Sequence, residues 1–250
     1  MRSSILNILR DCPIVSVNVS NIVDFPLLNL KYCPNLKHLA FEIPSTLGAI
    51  PSLHELDYSE DRVELENLKI SASSRLSRIP INVFTHPRSP LSISRLVCLG
   101  ACIRSLEDHD TCQLFIDNSR NTLRKFELWI FGPDHFHMLV PTSPTSINLN
   151  SCSQLQCLSF HVPRSVVAPF LWLRDLFETI PNDNCLEEIS LSLSEAPSTG
   201  WQALDLTLSG PKFGGLKAII LPVLPLRPKR KIPLLLSKGI IRVSRKEFKY

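Results

Sequence analysis

Hydrophobic residues recur along this chain in a pattern that fits neither an amphipathic helix nor a simple alternating strand. In the stretch CPNLKHLAFEI, apolar side chains stand at Leu36, Leu39 and Phe41, which are offsets 0, 3 and 5 counted from the first of them. The same offsets recur in seven other places, and the first positions of successive matches are 22, 29, 31, 27, 32, 31 and 30 residues apart. This spacing predicts about eight copies of one structural repeat.

The eight matches follow one another along the whole chain. They are Ile14-Val17-Val19, Leu36-Leu39-Phe41, Leu65-Leu68-Ile70, Leu96-Leu99-Ala101, Leu123-Phe126-Leu128, Leu155-Leu158-Phe160, Leu186-Ile189-Leu191 and Leu216-Ile219-Leu221. Two more matches, which begin at Leu53 and Leu76, fall out of phase with this series. Either short extra repeats lie there or the sequence matches by accident, so the repeat register between residues 45 and 95 stays open.

Each match predicts a β-strand that a return helix connects to the next strand. The apolar residues at offsets 3 and 5 share one face of a strand, because strand side chains alternate. Residues 166–180 carry apolar side chains at helical spacing, and Pro169 can begin a helix there. The following return segment starts with Thr199, has Gln202 at capping-box spacing, and closes at Gly210.

These segments predict an α/β array with strands 155–162, 186–193 and 216–221 and helices 168–180 and 200–208. A connection of about 23 residues that contains a helix is typical of parallel strands. We therefore predict one domain, residues 1–250, folded as a leucine-rich-repeat-like solenoid. Its curved parallel sheet carries the helices on the outer face, and residues 211–250 form a basic C-terminal cap.

Composition favours a folded intracellular protein, cytoplasmic or nuclear. Apolar residues make up 44% of the chain and charged residues 20%, an ordinary globular balance. The longest apolar stretch, residues 216–226, is short and contains two prolines, so we expect no membrane span. The N-terminal residues MRSSILNILRDCP make a poor secretory signal.

Positive charge is concentrated near the C-terminus. Residues 211–250 contain 11 Lys or Arg and a single acid, a local net charge of +10 that leaves −6 on the rest of the chain. The stretch RPKRK is a basic patch, typical of nuclear import or anion binding, formed by Arg227, Lys229, Arg230 and Lys231. Alternatively, it is a solvated loop between the last repeat strand and a terminal helix. No nucleic-acid-binding signature accompanies it, so we expect no nucleic-acid partner.

The eight cysteines lack the spacing of a zinc site, because no Cys-x-x-Cys occurs. Cys12, Cys33, Cys152 and Cys185 each lie one to three residues before the first position of a repeat. This placement predicts small buried residues at the ends of return segments. We expect reduced thiols and no metal or other cofactor.

Several stretches resemble fungal F-box proteins whose substrate-recognition regions are leucine-rich-repeat-like. The likeness is carried by CPNLKHLAFE, NTLRKFELWIFGP and CSQLQCLSFHVP, and most specifically by WQALDLTLSGPKFGGLKAIIL followed by IPLLLSKGIIRVS. It implies a non-catalytic module that recognises a protein partner for a ubiquitin ligase. Only residues 1–13 precede the first repeat, so we expect no F-box here. The resemblance implies the linker subunit of a cullin ligase as a partner only if an F-box is encoded upstream.

Side chains at offsets 2, 4 and 6 are predicted to form the concave face of the sheet, where solenoids commonly bind their partners. Trp129 is the largest of them and a candidate binding hot spot. Its predicted neighbours on this face are Lys125, Glu127, Ser159 and His161, and Trp129 should lie beside His161 on the next strand. Alternatively, the loop GPDHFHML folds over Trp129 and buries it.

Catalytic motifs are missing from the sequence. It contains no G-x-S-x-G, no P-loop, no G-x-G-x-x-G and no H-E-x-x-H. His135 and His137, with Asp134, have no apparent third metal ligand, and we expect a solvated loop there. We therefore predict a protein-interaction module, not an enzyme, with an enzyme for small molecules on an irregular α/β fold as the alternative. A gene product without a present partner is a third possibility.

Overall fold

Strands lie where the sequence repeat predicts them. The computed structural model of the chain describes residues 12–20, 22, 25, 27–42, 62–71, 81–130, 147–162, 169–193, 200–225 and 227–244. Within these residues the main strands are β1 (Ser16–Ser20), β2 (His38–Glu42), β4 (Asn67–Ile70), β6 (Cys98–Ile103), β7 (Lys125–Ile130), β8 (Cys157–Val162), β9 (Glu188–Leu193), β10 (Ala218–Leu221) and β11 (Ile241–Val243). The first eight of these begin at offset 2 of a predicted repeat.

The chain forms two compact units. The first comprises the residues up to Ile103 together with Glu107–Leu123, and its strands have the order β1-β2-β4-β6. The second comprises Arg104–Leu106 and the residues from Arg124 onward, with the order β7-β8-β9-β10-β11. Within each unit the neighbouring strands are parallel. The α/β class and the parallel strands are therefore confirmed, whereas the single domain remains a prediction.

Strand pairing matches equal offsets of successive repeats. Leu39 of β2 lies opposite Leu68 of β4, which in turn lies opposite Leu99 of β6. Leu158 of β8 lies opposite Ile189 of β9 in a parallel pair, as the crossover length predicts. The in-phase repeat that begins at Leu65 is thus confirmed, although most of the two out-of-phase matches lie outside the described residues. A separate parallel pair, β3 (Val63–Glu64) with β5 (Leu91–Ser92), accounts for part of this region.

Among the described residues, helices connect several of the strands, including both connections for which a helix is predicted with bounds. They are α1 (Asn82–Thr85), α2 (Leu106–Ser119), α3 (Pro169–Thr179), α4 (Trp201–Ser209), α5 (Pro228–Lys231) and α6 (Pro233–Ser237), with 3-10 helices at Leu27–Tyr32 and Pro211–Phe213. The predicted helix 168–180 corresponds to α3. Helix α4 begins after Gly200, whose positive φ of 96° favours glycine, and no side-chain cap forms there. Thr199, the first residue of the predicted capping box, lies outside the described residues, so the capping box remains a prediction.

The core is built from the predicted apolar positions. In the last seven repeats every residue at offsets 0, 3 and 5 is buried, whereas Ile14 and Val17 of the first repeat are partly exposed. Phe160 of β8 packs edge-on against Trp172 and Phe177 of α3, with ring centroids 5.9 and 6.0 Å apart. Burying such side chains contributes roughly 1.5–3 kcal/mol each. Helix α3 therefore covers the face of β8 that carries offsets 3 and 5.

A backbone contact also repeats from strand to strand. The carbonyl at offset 1 accepts hydrogen bonds from the N–H groups at offsets 1 and 2 of the next repeat. Val15 O accepts from Lys37 N and His38 N at 2.9 and 3.0 Å, and the same pattern recurs at Lys37, Glu66, Arg124, Gln156 and Glu187. The chain thus enters each of these strands in the same way.

Cysteine burial depends on the position within the repeat. Cys33 and Cys152, at offset −3, are fully buried, and each carbonyl accepts a bond from the N–H of the offset-0 leucine, at 3.0 and 3.1 Å. Cys12 and Cys185 stand at offsets −2 and −1 and are exposed, so the prediction that they are buried is wrong. In these repeats the side chain at offset −3 is buried, whereas those of Cys12 and Cys185, one or two positions later, are not. Ile93 and Phe213 occupy the same buried position, which the sequence pattern did not reveal.

Candidate functional site

The five predicted binding residues lie on two adjacent strands of the second unit. We call the face that carries offsets 2, 4 and 6 the polar face. On it, Glu127 of β7 is opposite Ser159 of β8, and Trp129 is opposite His161. Lys125 begins β7 and is exposed. The predicted lateral pairing of Trp129 with His161 is confirmed.

Trp129, His161 and Glu127 form a connected cluster. The indole of Trp129 and the imidazole of His161 are stacked, with ring centroids 5.2 Å apart and planes at 11°. His161 Nε2 lies 3.1 Å from Glu127 Oε1. A carboxylate that is ionised can only accept, so this bond requires the tautomer with the proton on Nε2. The imidazole is therefore held by a ring on one side and a carboxylate at its edge.

The cluster is partly shielded from solvent. The side chains of His161 and Glu127 are 10% and 23% exposed, and Trp129 is half-buried. Trp129 is thus neither fully exposed nor fully buried among the described residues. The segment 132–139, which would cover Trp129 in the alternative interpretation, lies outside the described residues, so that alternative remains a prediction.

The chemistry of the cluster suits non-covalent recognition. It offers a planar aromatic surface, a carboxylate and the nearby ammonium group of Lys125, each of which can meet a complementary group of a polypeptide. In the part of the chain that the structure describes, no three His, Cys, Asp or Glu residues are grouped to hold a metal ion. His135, His137 and Asp134 lie outside that part.

Burial and charge make the thiol beside this cluster a weak nucleophile. Cys157 begins β8 and is half-buried. Burial and, next, the carboxylate of Glu188 raise the pKa of the Cys157 thiol, with Lys125 acting in the opposite direction. A raised pKa lowers the thiolate fraction at neutral pH.

The basic patch lies elsewhere, in the connection between β10 and β11. Arg227, Lys229 and Arg230 are exposed, and Lys231 is half-buried. Residues Pro228–Lys231 form the short helix α5, so the alternative of a simple loop is wrong for their backbone. Arg227 precedes this helix with a φ of 57°, a left-handed conformation that a non-glycine residue rarely adopts. The following helix α6 agrees with the expected terminal helix, and strand β11 comes after it.

Asp205 has a structural role that sequence reasoning missed. Its carboxylate is buried and accepts hydrogen bonds from the backbone N–H groups of Leu234 and Leu235, at 3.1 and 2.8 Å. These are first-turn amides of α6, which have no partner within their own helix. The available signal was an aspartate beside Leu204 and Leu208 on an otherwise apolar helix surface.

The sequence pattern assigns only offsets 2, 4 and 6 to the polar face, so it did not predict two ion pairs between residues at offset 1. Lys37 Nζ lies 2.6 Å from Glu66 Oε1, and Lys217 Nζ lies 2.6 Å from Glu187 Oε1. Each pair joins equal positions of adjacent repeats. All four side chains are largely exposed, so solvent screening keeps the contribution of each pair to stability small.

No helix among the described residues is long and apolar enough to cross a membrane. No model of a known protein family matches this chain. A search of curated proteins finds no significant match either.

Proposed function

We propose that this protein is a non-catalytic interaction module that binds a protein partner on the polar face of its second unit. In this proposal the repeats stack as a leucine-rich-repeat-like solenoid. Trp129 is the main contact residue, and Lys125, Glu127, Ser159 and His161 surround it.

The repeating backbone supports the solenoid part of the proposal. Parallel strands that pair at equal offsets, and carbonyls at offset 1 that accept the same two bonds, are what stacked copies of one unit produce. In such arrays neighbouring strands present their side chains side by side, so several repeats can contact one extended ligand.

The stacked cluster is the observation that carries the binding part. Trp129 and His161 form a pair of stacked, nearly parallel rings on the polar face, and Glu127 fixes the imidazole. Aromatic side chains that are held in one conformation lose little entropy on binding and are enriched among interface hot spots. A partly shielded ring beside polar groups matches this description.

Selection of peptides from a random display library against the wild-type protein tests the proposal. We expect the selected peptides to lose about 2 kcal/mol or more of binding free energy on Trp129→Ala, measured by titration calorimetry. A matched control is Asn18→Ala, which removes an exposed polar-face side chain of the first unit. Equal affinities for the wild type and Trp129→Ala would overturn the proposed site.

A thermal-shift screen separates this function from the enzyme alternative. A ligand that binds only the native state raises the unfolding temperature. Reproducible stabilisation by nucleotides or metal ions would favour an enzyme, and stabilisation by the selected peptides alone would favour the interaction module.

The resemblance to F-box substrate-recognition regions suggests that the bound partner is a substrate for ubiquitination. If an F-box is encoded in frame with this chain, the bound protein would be presented to a cullin ubiquitin ligase. The genomic sequence upstream of Met1 tests this part independently of the peptide selection.

A further inference from the structure

The C-terminal cap carries a large excess of positive charge, 11 Lys or Arg against the single acid Glu247. Residues 206–246 contain no Asp or Glu. Arg227, Lys229, Arg230, Lys238 and Arg242 are all exposed. Within the described ranges, none of these five side chains forms an ion pair. Their combined potential therefore favours an anionic partner.

The same region exposes aliphatic side chains. Val223 is 71% exposed, and Val243, Leu234 and Leu224 are 50%, 42% and 37% exposed. Val243 lies opposite the buried Leu221 and so occupies the strand position that is buried in the other repeats. The side chain of Val243 is nevertheless half exposed. A terminal repeat normally needs a polar or covered outer end.

On its outer side, strand β11 has backbone groups that no other described strand uses. Among the described residues it pairs only with β10, where Ile219 N donates to Ile240 O and Ser244 N donates to Leu221 O, both at 2.8 Å. Backbone groups of alternate residues point to opposite sides of a strand. The N–H and C=O groups of Ile241 and Val243 therefore point away from β10.

From these three features we propose that β11 is a docking edge for an acidic, extended polypeptide segment. The segment adds a strand beside β11, its backbone pairs with Ile241 and Val243, and its carboxylates face the cationic side chains around the edge. Aliphatic residues of the segment cover Val243 and Leu234. This surface is distinct from the proposed Trp129 site.

The composition of the cap favours a polypeptide over a nucleic acid. Residues 214–244 contain no aromatic side chain, so the described residues around β11 offer no ring on which bases stack. Exposed valine and leucine side chains gain nothing from a phosphate backbone, whereas an alternating acidic and aliphatic strand satisfies both kinds of group.

Fluorescence anisotropy with a labelled decapeptide of alternating Glu and Val tests the proposal on the full chain. We expect saturable binding that weakens as salt rises, and no binding of the matched peptide of alternating Lys and Val. Arg242→Glu should weaken binding about tenfold, since it replaces attraction by repulsion beside the new strand. The control Arg120→Glu reverses an exposed arginine of the first unit and should change nothing.

A proline substitution separates strand addition from simple charge attraction. Val243→Pro removes an outward N–H that β10 does not use, and prolines are tolerated on edge strands. We expect this variant to remain folded by circular dichroism and to lose peptide binding at least about tenfold relative to Val243→Thr, which keeps the N–H.

Other occupants of the edge would appear in the same assay. Undiminished binding by Val243→Pro would overturn strand addition. Tighter binding of a single-stranded DNA of equal charge, or of phosphatidylserine vesicles, would overturn the choice of a polypeptide. A dimer in sedimentation that Arg242→Glu dissociates would show that a second copy of the chain occupies the edge, and would also overturn the proposal.

Discussion

Trp129 differs from the other tryptophans of the second unit in its surroundings. Trp172 and Trp201 are nearly fully buried, whereas Trp129 is half-buried and stacks on one side against His161. A half-buried ring contributes to stability through its contacts and keeps part of its area accessible. Replacing Trp129 by alanine should therefore lower the free energy of unfolding less than replacing Trp172 or Trp201.

We expect Trp129→Ala to reduce the free energy of unfolding by only about 1–2 kcal/mol, because the stacked pair and part of the buried area are lost. Trp172→Ala is the matched comparison within the same unit and should cost about 3–5 kcal/mol, because it leaves a cavity beside Phe160. Urea denaturation of both variants measures the difference. Equal losses would assign Trp129 to the core and leave the binding surface unlocated.

Helix α6 is held by a side chain of another helix. The buried carboxylate of Asp205 on α4 replaces the missing partners of two first-turn amides, those of Leu234 and Leu235. It therefore acts as a cap supplied from 29 residues earlier in the chain. Because α6 leads directly into β11, this contact also positions the last strand.

We expect Asp205→Ala to cost about 2 kcal/mol, since it leaves buried amides without an acceptor. Asp205→Asn should cost less, because one acceptor oxygen remains. Hydrogen exchange of the Leu234 and Leu235 amides should accelerate in Asp205→Ala, which separates a local cap from general destabilisation. If Asp205→Ala destabilises no more than Asp183→Ala, an exposed aspartate of the same unit, the capping role is wrong.

Across the whole molecule, the eight cysteines differ in burial, so their reactivity tests the predicted positions within the repeats. All eight are free thiols in the structure. Burial raises the pKa of the Cys33 and Cys112 thiols, and for Cys112 the charge of Asp108 adds to this effect. Thiolates are the reactive form, so these positions should react slowly in the folded protein.

We expect native-state alkylation at neutral pH, followed by mass spectrometry, to label the exposed Cys12 and Cys185 first. Cys33, Cys112 and Cys152 should react only as the protein unfolds, because they are buried. Titration of denatured, unreduced protein should count eight thiols. A count of six or fewer would indicate a disulfide and contradict the prediction of reduced cysteines.

The sequence by itself determined the strands, their parallel pairing and the lateral meeting of Trp129 with His161. This was possible because a repeat places the same offsets side by side on successive strands, so that local spacing along the chain becomes register across the sheet. Helix α3 was predictable for a similar reason, since its apolar period and initial proline are local signals.

Only the tertiary structure decided contacts that no local period encodes. One example is the pair of hydrogen bonds that the Asp205 carboxylate accepts from the start of α6. Another is the half-burial of Trp129. Both depend on which elements approach each other in space. The exposure of Cys12 and Cys185 has a related cause, because a shift of one or two residues in a turn rotates a side chain from the core to solvent. Periodicity specifies the order of the repeats, whereas packing between non-equivalent positions specifies the sites.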